Sequence, residues 1–102
     1  MDKVRIGLIG CGGFQRYRVG NLLKVKDAQI VALADTSDDQ IAAMRNAHAA
    51  TADLPAYHDY KDMVAEGGLD AVMIATPHTQ HVDQILFCLE HGLHTLCEKP
   101  LV

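Results

Sequence analysis

No apolar run in this chain of 102 residues approaches the roughly 20 residues that a membrane-spanning helix needs. The opening MDKVRIGLIG is too charged, and too briefly apolar, to hold the hydrophobic region of a secretory leader. A surplus of basic residues is missing as well: 9 Lys and Arg stand against 13 Asp and Glu, a formal charge of −4, whereas a nucleic-acid module usually carries a basic face. Membrane and nucleic acid are therefore set aside as partners. Cysteine is scarce; Cys11, Cys88 and Cys97 are odd in number and lack framework spacing, so they read as reduced thiols and not as a disulfide scaffold. The chain is expected to be soluble and cytoplasmic. It has no low-complexity segment, internal repeat or linker, and with 49% hydrophobic residues it is long enough for one core and too short for two, so residues 1–102 are read as one domain.

What is present is an alternation. Val4 to Ile9, Ile30 to Ala34, Ala71 to Ala75 and Leu93 to Cys97 are short apolar runs of the kind found in strands covered on both faces, and a weaker strand is expected at Ala56 to His58. Helical patterns lie between them: Val19, Leu22 and Leu23 after a glycine cluster, then Ile41, Met44 and His48, and finally Val82, Ile85, Leu86 and Leu89. Ser37 with Gln40 makes a capping-box start, and Asp59 with Asp62 offers a similar one to a short helix. The last helix is expected to begin near Thr79 and stop at Gly92. The order β-α-β-α-β-α-β-α-β predicts an α/β fold, a doubly wound and mostly parallel sheet of the Rossmann-like, dinucleotide-binding kind.

In such a sheet ligands bind beyond the carboxyl ends of the strands. The first strand runs into GCGGFQ, where Gly10 and Gly12 occupy the first two positions of a G-x-G-x-x-G fingerprint. Gly10 permits the tight turn, and Gly12 lets backbone N–H groups approach a pyrophosphate at a helix N-terminus. The loop Gly10, Gly12, Gly13, Phe14 and Gln15 is the candidate phosphate cradle, the alternative being an ordinary glycine turn. Gln15 stands where the third glycine would be, on the stripe that faces the sheet, so its side chain is expected to bend aside or push the helix out; Gly13 would relieve some crowding. Asp35, 20 positions beyond Gln15, ends the second strand where a carboxylate can accept both hydroxyls of an adenosine ribose. A 2′-phosphate would meet repulsion there, which favours NAD over NADP, although Thr36 and Ser37 could donate to a phosphate and Asp35 could instead belong to a helix start.

The fourth and last strand ends read ATPHTQH and CEKP. Together with IGLIGCGG and VALAD they resemble the N-terminal domain of the Gfo/Idh/MocA oxidoreductases, the glucose-fructose oxidoreductase and inositol dehydrogenase family, over nearly the whole chain. The resemblance implies that Thr76, Pro77 and His78 line the cofactor groove, that Glu98 approaches the nicotinamide ribose and that Lys99 is the catalytic lysine. It also implies hydride transfer between nicotinamide and a hydroxyl of a polyol or sugar, in an enzyme whose second, mostly antiparallel domain supplies substrate contacts. Gln15 replaces the usual small residue, and Arg18 stands where many members have histidine.

The chemistry suits Lys99 independently. Oxidising an alcohol by hydride transfer requires a proton to leave the same hydroxyl, and an amine or ammonium beside that oxygen can orient it and stabilise developing charge. Pro100 holds Lys99 towards an extended conformation at the sheet's carboxyl edge. The competing class is a nucleotide-binding or interaction module without catalysis, since no substrate pocket is recognisable. His78 with His81, and His91 with His94 and Cys97, have spacings that suggest zinc, but the second group crosses from helix to strand, so no metal site is expected; His81 remains a secondary cofactor-side or capping candidate. Arg16, Arg18, Lys24 and Lys26 read as a solvated basic helix from which Arg16 or Arg18 could reach a pyrophosphate. The chain is expected to be the cofactor half of a longer enzyme, inactive alone, and its open sheet edge to favour a homo-oligomer.

Overall fold

A computed structural model of the chain describes residues 3–76 and 78–97, with the backbone alone at His78, Thr79, His81 and Cys97. Five parallel strands, β1 (Val4–Ile9), β2 (Ala28–Ala34), β3 (Ala56–Tyr57), β4 (Ala71–Ile74) and β5 (His94–Cys97), form one sheet in the order β3-β2-β1-β4-β5. The helices are α1 (Gly13–Leu22), α2 (Asp38–Ala47), α3 (Tyr60–Glu66) and α4 (His78–Glu90), with a single 3-10 turn at Ala49–Thr51. The order reverses beside β1, so the crevice between the ends of β1 and β4 is where a doubly wound sheet opens towards a ligand.

Two cores form because successive strand residues face opposite ways. Ile6, Leu8, Ile30 and Met73 pack with Val19 of α1 and Ile41 and Met44 of α2. Ile9, Ala32, Val72 and Ile74 pack on the other face with Met63 and Val64 of α3 and Cys88 of α4. All four residues of β4 are buried, as a strand covered on both faces requires.

The predicted elements are all found, with shifted ends that have local causes. β2 begins two residues early, at Ala28 paired with Val4, and the β1–β2 register slips between Ile6 and Gly7, so one extra residue of β2 is accommodated. β5 begins one residue late because the Leu93 N–H is spent on Cys88 O (3.0 Å) while the Gly92 N–H bonds Leu89 O (3.0 Å). That pair is a Schellman closure, with Gly92 at φ 76°. Ser37 caps α2, its Oγ accepting from the Gln40 N–H (3.3 Å), but the reciprocal half of the capping box is diverted: the Ser37 N–H donates to Asp35 Oδ1 (2.8 Å).

The apolar stripe read on α4 needs correction. Val82, Leu86 and Leu89 are more than half exposed, and the inward face carries Gln84 and Cys88, with Ile85 half-buried. The helix is rotated so that its inner face meets the sheet with a small thiol and an amide, flanked by Ile85 and Phe87, while Val82, Leu86 and Leu89 look outward.

Candidate dinucleotide site

β1 delivers the chain into a turn at Gly10, whose φ of 98° is the left-handed region and where a Cβ would lie 2.5 Å from Ala75 O. No other residue fits there without displacing the β4 end. A Cβ on Gly12, by contrast, would meet nothing within 4 Å, so open space stands in front of the N-terminus of α1. No side chain caps that terminus and its first turn holds no acidic residue. It presents uncompensated N–H groups and a positive dipole end to the space before it, which suits a phosphate.

A groove of about 1050 Å³ runs along this edge, lined among others by Gly10, Gly12, Asp35, Gln40, Thr76 and Gln84. Sequence-predicted residues from three strand ends therefore share one cavity. Asp35 is fixed on both sides: Oδ2 accepts the Cys11 N–H and Oδ1 the Ser37 N–H, each at 2.8 Å. Each oxygen keeps a further lone pair for a hydroxyl donor. Thr76 Oγ1 donates to Oε1 of the buried Gln84 at 2.5 Å, tying the β4 end to α4.

Gln15 behaves differently from expectation. It does not bend aside: the side chain is fully buried between α1 and the strand ends, its Nε2 donating to Met73 O (2.8 Å) and, more weakly, to Ile9 O (3.5 Å). Its Oε1 is buried with no partner. Phe14 and Gly13 lie on the exposed side of the first turn, Phe14 under the Arg18 guanidinium (5.9 Å) and 6.4 Å from Tyr17. Arg16 does not point along the helix into solvent: its Nη1 donates to Cys11 O (2.8 Å) and to Gln40 Oε1 (2.7 Å). Arg18 Nη1 lies 3.5 Å from Ile74 O.

Cys11 is buried inside the loop, its thiol donating to Ala34 O at 3.9 Å. Burial, and then the Asp35 carboxylate, push the thiol up to about 12, so it is an unreactive, protonated filler. At the rim, His58 Nε2 lies 2.5 Å from Asp38 Oδ1, and that bond raises the imidazole above its ordinary value. Among the described residues no group of three or more His, Cys, Asp or Glu side chains is placed to hold a metal ion, and no helix is long and apolar enough to cross a membrane.

Pro77, Glu98 and Lys99 lie outside the described residues, as do the side chains of His78 and His81. Sequence reasoning missed the far wall of the groove, Gln80, Asp83, Gln84 and Phe87 on α4 with His58 and Tyr60 before it. The four α4 residues recur at i, i+3, i+4 and i+7, a helical stripe that was legible but was overshadowed by the apolar one beside it.

Known proteins resemble this arrangement. The family profile described as an oxidoreductase family with an NAD-binding Rossmann fold matches residues 4–102. A myo-inositol 2-dehydrogenase of Thermotoga maritima is 29% identical over 98 residues, covering 96% of this chain and 28% of its own. A scyllo-inositol 2-dehydrogenase (NADP(+)) of Bacillus subtilis, IolU, is 30% identical over 97 residues, covering 95% of this chain and 29% of its own. The crystal structure of scyllo-inositol dehydrogenase from Lactobacillus casei with bound NAD(H) and scyllo-inositol superposes with a TM-score of 0.85 at 26% identity, over 97% of this chain and 28% of that one. The chain thus spans less than a third of the length of these relatives.

Proposed function

Because the chain belongs to the Gfo/Idh/MocA oxidoreductases, as an NAD-binding Rossmann domain, we propose that its groove binds NAD(H) in preference to NADP(H) and serves the oxidation of a polyol or sugar hydroxyl. The observation that carries this reading is the convergence of Gly10, Gly12 and Asp35 on one groove before an uncapped helix N-terminus. The fit is physical. The space in front of Gly12 is what a pyrophosphate needs, the N–H groups of α1 would hold it, and the free lone pairs of Asp35 would take the adenosine ribose hydroxyls. Thr76, held by Gln84, would border the same groove further along, with Pro77 and His78 following it in sequence.

A bound nicotinamide supplies the hydride acceptor or donor. In this proposal Lys99 holds or moves the hydroxyl proton of the substrate and Glu98 orients the nicotinamide ribose, roles that rest on the EKP resemblance. The cytoplasmic setting also belongs to the proposal, supported by the buried thiols of Cys11 and Cys88, neither of which is in a disulfide. So does a homo-oligomer, supported by the position of β5 at one edge of the sheet and the half-exposed Leu96 upon it.

Calorimetric titration tests the cofactor reading. NADH is expected to bind more tightly than NADPH, and Asp35→Ser to narrow the difference by about tenfold by removing one charge at the ribose. A chain that already prefers NADPH, or one that shows no heat and no competition from ADP-ribose at millimolar ligand, would refute it.

A further inference from the structure

The bonds around the glycine loop close into a ring. The Cys11 N–H donates to Asp35, whose other oxygen accepts from the Ser37 N–H; Ser37 Oγ accepts from the Gln40 N–H; Gln40 Oε1 accepts from Arg16, and Arg16 returns to the Cys11 carbonyl. Every link is between 2.7 and 3.3 Å. Gln40, Asp35 and Thr36 line the groove, so the Arg16 guanidinium stands one contact behind the groove wall at its ribose corner.

We propose that Arg16 is a specificity-determining residue of this groove: held back by Gln40 and the Cys11 carbonyl, it is the cation that receives a 2′-phosphorylated adenosine when the charge of Asp35 is removed. The inference rests on the dinucleotide reading above and deepens it.

The other cations around this corner are committed elsewhere. Arg45 spends Nη1 on Ala52 O (2.7 Å) and Nη2 on Leu54 O (2.8 Å). His58 is paired with Asp38. Lys61 lies over the Phe87 ring (5.7 Å), and Arg18 lies by the end of β4 with its head over Phe14. Arg16 bonds through Nη1 alone among the described residues, so Nε and Nη2 keep donors for a phosphate, and a guanidinium is the group best shaped to present paired donors to one. In the unsubstituted chain the nearby carboxylate opposes that use. Without it, a swing past Gln40 exchanges a neutral amide acceptor for a dianion, a charge-assisted bond of greater strength.

The test measures the affinity ratio of 2′,5′-ADP to 5′-ADP, which cancels any loss of folded protein, in the unsubstituted chain, Asp35→Ser, Asp35→Ser with Arg16→Met, and Asp35→Ser with Gln40→Ala. Asp35→Ser is expected to raise the ratio about tenfold, Arg16→Met to return it to within about twofold of the starting value, and Gln40→Ala to raise it further by freeing the guanidinium. A gain that survives Arg16→Met assigns the phosphate to Thr36, Ser37 or His58 and overturns the proposal, as does a Gln40→Ala ratio that falls. Should Arg16→Met fail to fold, the Gln40→Ala arm decides by itself, with a flat or falling ratio overturning it. A chain that binds neither nucleotide fails the dinucleotide reading as well, whereas binding with a ratio indifferent to both residues fails this inference alone.

Discussion

Gln15 shows how one residue can replace a motif glycine by changing what the position does. A glycine there would let helix and sheet touch. The amide instead fills the layer between them and joins α1 to the β4 end through Met73 O. Gln15→Gly is therefore expected to destabilise the fold by about 2–4 kcal/mol, combining an unpaired buried carbonyl with glycine in a helix. Denaturant unfolding checks this, and Gln15→Met, which keeps volume and removes the orphan Oε1, isolates the hydrogen bond. Relief of crowding, the outcome expected from the fingerprint alone, would instead appear as unchanged stability with tighter ADP-ribose binding. Cys11 contributes a pH dependence of known sign. Its thiol is raised from about 9 to about 12 in the fold, so above pH 9 the unfolded chain releases a proton that the folded chain retains. Stability should fall as pH rises from 9 towards 12, and Cys11→Ala should flatten that slope. At neutral pH the thiol should resist alkylation until the chain unfolds.

Among the elements, α4 separates what periodicity reveals from what it hides. Val82, Leu86 and Leu89 form an apolar stripe as regular as any in the chain, yet the helix buries Gln84 and Cys88. Gln84 is admitted to the interior because Thr76 donates to it, and that partner sits in a loop which no pattern on the helix announces. Leu89→Lys is accordingly expected to change stability by no more than about 0.5 kcal/mol, while Ile85→Ala, packed against the Met63 and Ile74 core, should cost about 1–3 kcal/mol. A reversed order in thermal unfolding would place the stripe inside. The strands were easier to read because burial on both faces leaves only apolar residues to choose from, and β4 shows this in all four positions. Capping was half legible: Ser37 and Asp59 accept from N–H groups in the first turns of α2 and α3, but nothing in the spacing of Ser37 and Gln40 says that Gln40 will turn to Arg16. Gly10, Gly12 and Asp35 were readable because each sits just beyond a strand end at a fingerprint spacing, although of the three only Gly10 is demanded by the backbone itself. The ring that joins Asp35 to Arg16 draws on residues 24 apart in sequence, and only the fold brings them together.

At the scale of the whole molecule, all the groove-lining strand ends lie on one edge of the sheet, and the proposal seats a dinucleotide along them. A hydride transfer has two reactants. In the proposed reading Gly10 and Gly12 offer the cradle for the phosphates and Asp35 the carboxylate for the ribose, and α4 lines the far wall of the same groove. Positioning both reactants can account for about 7–11 kcal/mol of a barrier, so holding the cofactor alone leaves most of that advantage unrealised. Residues 1–102 are therefore expected to bind NADH, seen as a blue shift and enhancement of its fluorescence, and to show no NAD-dependent oxidation of myo-inositol, scyllo-inositol or glucose above the uncatalysed rate. The decisive measurement is an absorbance assay at saturating NAD with each polyol, run beside Lys99→Ala. Turnover that disappears with Lys99→Ala would mean that this short chain builds a complete site and that the substrate is held by residues not yet recognised as a pocket. Binding without turnover, together with loss of NADH fluorescence in Gly12→Val, whose branched side chain would enter the open space before α1, would place the function of these residues in cofactor capture.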